Sequence, residues 1–257
     1  MEIGTVLLIV VILILLYFLI RYLLADANTM TGIVSGTEMT TVDASDLASS
    51  SSGSSTSNFT YSIWYYLDDW NYRYGEPKVL FGRMSGSSGG GSGTPSIDDI
   101  SGVDPCPVVF LAPVTNNLEI GLTVYPGVSD ESGINSNSNS KLHRCTVPNV
   151  PIQKWTNILI STYGRTLDVY VDGKLVRTCV MPGVAKINND ANVYVTPSGG
   201  LSGWTAKFQY WANASSPQEA WNVYMNGYGA SWLSFLGKYQ IKVALVEDGE
   251  EESSITI

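Results

Sequence analysis

Paired carboxylates are the first chemistry to look for in a chain with 23 Asp plus Glu. Retaining glycoside hydrolysis needs two carboxyl groups about 5 to 5.5 Å apart. On a strand that means acids at alternate positions facing one cleft, and no predicted strand carries such a run; the acids from Glu247 to Glu252 sit around one turn and read as a solvated hairpin tip. Asp168 and Asp172 are four apart, but Asp172 is taken up by an Asp-Gly turn. Asp68 and Asp69 are adjacent and point to opposite faces, and Glu119 stands alone. The only histidine, His143, has no Gly-x-Ser-x-Gly partner from which to build a nucleophilic triad. Cys106, Cys145 and Cys179 form no CxxC, and His143 beside Cys145 offers too few ligands for zinc. SGSSGGGSG is glycine-rich but lacks the Lys-Ser/Thr ending of a phosphate loop. These residues predict a protein that is not an enzyme and that carries no catalytic group.

Binding chemistry has more to work with. Asp98, Asp99 and Asp104 lie in one loop, with Asp68 and Asp69 at a strand end, and hard cations want several oxygens converging from such loops. No fixed ligand spacing is present, so solvated acids are the expectation and a structural calcium ion the alternative. In DDWNYRYG, Trp70, Tyr72 and Tyr74 alternate with Asn71 and Arg73. Rings with polar groups between them suit a glycan or a protein partner, and packing against the fold or a partner ranks above sugar. Asn58-Phe-Thr60 and Asn213-Ala-Ser215 are glycosylation sequons, which matter only in a secretory lumen.

The elements that position these residues begin with an apolar run from Ile3 to Leu24, interrupted only by Arg21 near its end. About 20 apolar residues span a hydrocarbon core of about 30 Å, and Arg21 can snorkel to the interface. Residues 1–27 are therefore expected to be a single N-terminal transmembrane anchor. Ala25-Asp26-Ala27 resembles a signal-peptidase site, but no basic segment precedes the run, which favours an anchor over a cleaved signal. With Arg21 as the only basic side chain near either end, the positive-inside bias points the rest of the chain to the cytosol. The formal charge of −9 argues against nucleic-acid binding. Three cysteines leave at least one unpaired, and which of them pair is open.

Residues 28–57 end in DASDLASSSSGSSTS and read as a Ser/Gly-rich linker. From Asn58, short stretches of alternating apolar and polar residues follow one another, among them FTYSIWYYLDDW, NLEIGLTVYP, WTNILISTYG and WTAKFQYWAN. Asp172-Gly173 marks a two-residue hairpin. Ser215-Ser216-Pro217-Gln218-Glu219 opens one short helix that stops at Gly227. Residues 231–257 read as a closing hairpin. The predicted fold is all-β: a two-sheet antiparallel jelly-roll sandwich over 58–257 with one short helix, preceded by the membrane helix.

KWTNILISTYGRTLDVYVDGKLV is similar to the signature of concanavalin A-like, laminin G-like jelly rolls, through Trp155, Tyr170, Asp172, Gly173 and Lys174. SPQEAWNVYMNGYG resembles the short helix after that family's last major strand, with Gly227 one place early. The membrane helix, Ser-rich linker, aromatic opening strand and GKYQIKVALVEDGEEESSITI tail together resemble membrane-linked minor capsid proteins of large double-stranded DNA viruses of algae and protists. That resemblance implies a structural protein of the virion, at its inner membrane. Its partners would be the lipid bilayer and the major or other minor capsid proteins. A membrane-anchored lectin binding glycans is the alternative.

Overall fold

The computed structural model describes residues 12, 15–17, 28–47, 57–84, 104–125, 141–229, 242–247 and 250–256. The chain divides into two compact units, 27–228 and a second made of 1–26 with 229–257.

The larger unit is a sandwich of two antiparallel sheets. Its strands are β1 (Thr29–Thr31), β2 (Val34–Ser35), β3 (Thr40–Val42), β4 (Phe59–Asp69), β5 (Lys78–Arg83), β6 (Val108–Leu111) and β7 (Leu118–Val124). They continue with β8 (Lys141–Val147), β9 (Thr156–Tyr163), β10 (Thr166–Val171), β11 (Lys174–Val180), β12 (Val193–Val195) and β13 (Ser202–Trp211). One sheet has the order β1-β13-β4-β9-β10-β11, with β2 also on β13; the other runs β3-β12-β5-β6-β7-β8.

Period-two alternation decides which side chains fill the space between the sheets. On β4, Tyr61, Ile63, Tyr65 and Leu67 point inward; on β7, Leu118, Ile120, Leu122 and Val124 meet them from the other sheet. Ile158, Ile160, Leu167, Val169 and Phe208 complete the middle. Each such side chain contributes about 1.5 to 3 kcal/mol by leaving water, so this layer is what holds the two sheets together.

The linker expectation fails for residues 28–47. β1 and β2 pair with β13, β3 pairs with β12, and a one-turn helix, α1 (Ala44–Leu47), buries Leu47 in the core. The β-branched residues of TMTGIV and TTV supply these strands, and the Ser/Gly run behind them drew the reading toward a tether. Residues 48–56 of that linker lie outside the described residues.

The predicted helix is present as α2 (Pro217–Met225). Ser216 caps it: its Oγ accepts from the Glu219 N–H at 3.3 Å, while its own N–H donates to Glu219 Oε2 at 2.5 Å. Ala220 is buried against Leu159 and Tyr170, so α2 covers the outer face of the seven-stranded sheet.

In the smaller unit, β14 (Lys242–Glu247) and β15 (Glu250–Thr256) form an antiparallel hairpin. It groups with residues 1–26, whereas the sequence placed it in the sandwich domain. Among the described residues no helix is long and apolar enough to cross a membrane. Ile12 and Leu15–Tyr17 are helical; Ile3, Arg21 and Leu24, and with them most of the expected anchor, lie outside the described residues.

Candidate functional site

The DDWNYRYG segment turns the chain from β4 to β5, and its five candidate residues part company there. The strand ends at Asp69, whose Oδ1 accepts from the Asn71 N–H at 2.8 Å. Trp70 then folds inward, half-buried against the core, with Lys78 Nζ 4.6 Å from its ring centroid. Lys78 is fully buried, and its Nζ has no hydrogen-bond partner among the described residues. Desolvation, then the nearby Arg73 charge, push its pKa below the ordinary lysine value, against an opposing pull from Asp69 and Glu76. Tyr72 and Arg73 lie over the turn Pro197–Gly199, where a Cβ on Gly199 would meet Arg73 Nη1 at 2.7 Å and the Tyr72 hydroxyl at 3.3 Å. Arg73 Nε also donates to Glu76 at 2.7 Å. Only Asn71 and Tyr74 stand exposed. The expected aromatic cluster is thus one outward tyrosine and an outward amide above rings committed to the fold.

A larger aromatic surface lies elsewhere. Side chains of β4 that point away from the core, Trp64 and Tyr66, sit on the outer face of the seven-stranded sheet. From there six rings run in sequence. Tyr66 is 5.9 Å from Trp155, which stacks on Tyr228 at 4.2 Å and 14°. Tyr228 meets Trp64 at 5.5 Å, Trp64 stacks on Tyr224 at 5.6 Å, and Tyr224 meets Trp221 at 5.5 Å. On β13, Trp204 stands directly opposite Tyr66 and is 50% exposed. Trp221 and Tyr228 are also exposed, while Trp64 is buried beneath them.

The local sequence explains the row. Alternation on β4 sends Trp64 and Tyr66 to one face, and the i, i+3 spacing of Trp221 and Tyr224 lays both toward the sheet. Gly173 makes room: a Cβ there would lie 2.9 Å from Tyr224 Cβ and 3.0 Å from the Trp221 ring. The sequence reading missed this surface because its rings come from β4, the start of β9, β13 and α2, which only the fold brings together. The usable signal was the pair of rings, Trp64 and Tyr66, on the non-core phase of FTYSIWYY, where polar residues would be expected.

Several of the candidate acids are engaged within the fold. Asp172 Oδ1 accepts from the Asn157 N–H at 3.0 Å and Oδ2 pairs with Lys154 at 2.8 Å, so this aspartate pins its hairpin to β9. Glu119 accepts from Thr146 at 2.7 Å, and Asp168 accepts from Thr178. Of the calcium candidates, Asp104 pairs with Lys186 at 2.9 Å, and Asp98 and Asp99 lie outside the described residues. Among the described residues no group of three or more His, Cys, Asp or Glu is placed to hold a metal ion. Burial holds the His143 pKa down, with Lys141 adding to the effect.

Cys145 and Cys179 form a disulfide between β8 and β11, the last strands of the two sheets on that side. Cys106 is free and buried, and desolvation pushes its thiol up to about 12, so it is inert as a nucleophile near neutral pH.

No family model and no curated protein matches this chain. Solved structures do. The receptor binding domain of botulinum neurotoxin D aligns at 14% identity and TM-score 0.50, over 77% of this chain and 44% of that one. The receptor binding domain of the C/D mosaic serotype aligns at 11% and 0.45, over 66% of this chain and 36% of that one. The neurotoxin DC binding domain in complex with SialylT aligns at 14% and 0.44, over 66% and 35%. This chain therefore spans less than half the length of the structures it resembles. What the neurotoxin D likeness carries is the architecture: the chain is an all-β, two-sheet antiparallel sandwich.

Proposed function

We propose that this chain is a non-enzymatic, membrane-anchored recognition module whose sandwich binds carbohydrate through the aromatic outer face of its seven-stranded sheet. The observation that carries this reading is the row of six rings from Tyr66 to half-exposed Trp221, with half-exposed Trp204 placed opposite Tyr66 on the neighbouring strand. Aromatic faces stack on the apolar C–H faces of sugars while indole and phenol tips reach polar groups. Asp168, Asp172 and Glu119 are each engaged in hydrogen bonds within the fold, which supports a ligand held without turnover. The anchor is the apolar run Ile3–Leu24, which would fix the module to a bilayer. The test is binding of the full chain, in detergent micelles, to a broad glycan panel. Binding that is retained by the wild type and lost in Trp204→Ala supports the reading, and no binding across the panel removes it.

A second reading has its own support. Among the described residues β11 pairs only with β10, and β8 only with β7, so both sheets present an open edge there on one side. Leu175, Val176 and Val180 are exposed on β11. Open edges accept a strand from a partner protein. In a large DNA virus that partner would be a major or minor capsid protein, and the chain would tie the shell to the inner membrane. Detergent stripping of purified particles separates the two: a tie stays with the shell, whereas a lectin leaves with lipid.

A further inference from the structure

We infer that the sandwich matures in an oxidising, glycosylating compartment and that Asn213 is its N-glycosylation site. Two independent features point to the same side of the membrane. The first is the Cys145–Cys179 disulfide, which joins residues 34 apart in sequence across the two sheets. Cytosolic thiols are kept reduced, so a structural disulfide marks an oxidising environment. Forming it takes two protons and two electrons from the thiols, delivered to a disulfide-exchanging oxidant of that compartment.

The second is the contrast between the two sequons. Asn213 follows the end of β13 and is exposed, and its side-chain amide enters none of the hydrogen bonds given by the described residues. Its backbone is fixed: its carbonyl accepts from Thr60 Oγ1 at 2.8 Å, and the Ser215 N–H donates to Ser161 Oγ at 2.9 Å. The site is a rigid corner with a free amide. Asn58 is half-buried, its Oδ1 accepts from the Gly164 N–H at 2.9 Å, and the hydroxyl-bearing Thr60 of its sequon is fully buried. Glycosylation would bond the Asn213 amide nitrogen to the anomeric carbon of a lipid-diphosphate-linked oligosaccharide. The anomeric C–O bond breaks, the lipid diphosphate leaves and the amide proton is lost. A polar glycan at Asn213 keeps its chain in water and disturbs no contact of the fold. This placement reverses the cytosolic orientation that Arg21 suggests.

The test expresses the full chain in cells with a glycosylating secretory pathway, then applies peptide N-glycosidase and peptide mass spectrometry under non-reducing conditions. The expected result is one mobility shift removed by the glycosidase, lost in Asn213→Gln and in Ser215→Ala, and kept in Asn58→Gln and Ser215→Thr. The Cys145–Cys179 peptide pair should be linked, and Cys106 should alkylate only after unfolding. A linked pair with unmodified Asn213 overturns the glycosylation site. Reduced cysteines with no glycan overturn the compartment as well. Because Ser215→Ala leaves Asn213 in place, loss of the shift in both variants separates modification from misfolding.

Discussion

Cys145 and Cys179 tie β8 to β11 across the side of the sandwich where both sheets run out of strands. In the middle of the sandwich the two sheets are held by the side chains packed between them. Among the described residues no further strand covers this side, so the covalent link does there what packing does in the middle.

Removing that link has a calculable cost. With the cysteines 34 apart in sequence, loop-closure entropy assigns the crosslink about 3 to 4 kcal/mol. Cys145→Ser or Cys179→Ser should lower the melting temperature by about 10 °C for a domain of this size. Thermal melts with and without reductant check it: reductant should shift the wild type and leave the variants unmoved.

Lys78 gives the opposite expectation. Its ammonium is fully buried, with the Trp70 face as its neighbour and no hydrogen-bond acceptor among the described residues. Losing the Trp70 contact costs about 0.5 to 2 kcal/mol, but relieving a buried charge is worth more. Lys78→Met should therefore raise the melting temperature at pH 7 by about 2 to 4 °C, equivalent to about 1 kcal/mol. The folded pKa is lowered, so at alkaline pH the unfolded chain binds more protons at this lysine than the folded one. Wild-type stability at this group rises with pH through the window between the depressed value and the ordinary 10.5. The advantage of Lys78→Met should accordingly shrink as pH climbs through that window. Paired melts from pH 7 to pH 10 would read it, and a constant gap would contradict the account.

Gly203 is a backbone requirement. At φ +141°, a Cβ there would lie 1.9 Å from the Tyr66 carbonyl oxygen, where the β13–β4 register shifts. Nothing flexible can move aside, so Gly203→Ala should cost more than about 3 kcal/mol and abolish soluble expression. Gly75, at φ +83° with nothing within 4 Å of a Cβ, is the control. Gly75→Ala should cost about 1 kcal/mol and leave the fold intact, which denaturant titration can measure.

Much of the sandwich was legible because strands write a period of two. FTYSIWYYLDDW, NLEIGLTVYP and TLDVYVDG each alternate, and each supplies a strand. The capped helix was legible for the same local reason, since Ser216, Pro217 and Glu219 act within one turn. What could not be read were relationships between distant segments. Strands as short as β2 and β3 carry too few residues for a periodic signal, and pairing with β13 and β12 defines them. The Trp70 cluster looked like one face only if the strand continued past Asp69, and the turn there sends its rings in different directions. The row of rings draws on residues from 64 to 228, which no local pattern joins.

The choice between the two exposed aromatic surfaces makes the last prediction. Trp204 lies on a strand at the end of the ring row, and its half-exposed side chain contributes little to the core. Tyr74 lies on the β4–β5 turn, exposed and next to Arg73, which is held by Glu76 and the Gly199 turn. Both truncations should leave stability within about 0.5 kcal/mol, as surface substitutions do, so loss of binding can be read without a folding correction. A stacked ring that carries a sugar is worth at least about 1.4 kcal/mol, or tenfold in Kd. If the sheet face is the site, Trp204→Ala should lose tenfold or more on the glycan panel while Tyr74→Ala binds as the wild type does. The reverse pattern moves the site to the turn, where Tyr74 and Asn71 alone would have to hold the ligand. If both variants bind unchanged, the aromatic surface is not the recognition element, and the open β8 and β11 edges become the surface to mutate, beginning with Val176→Lys.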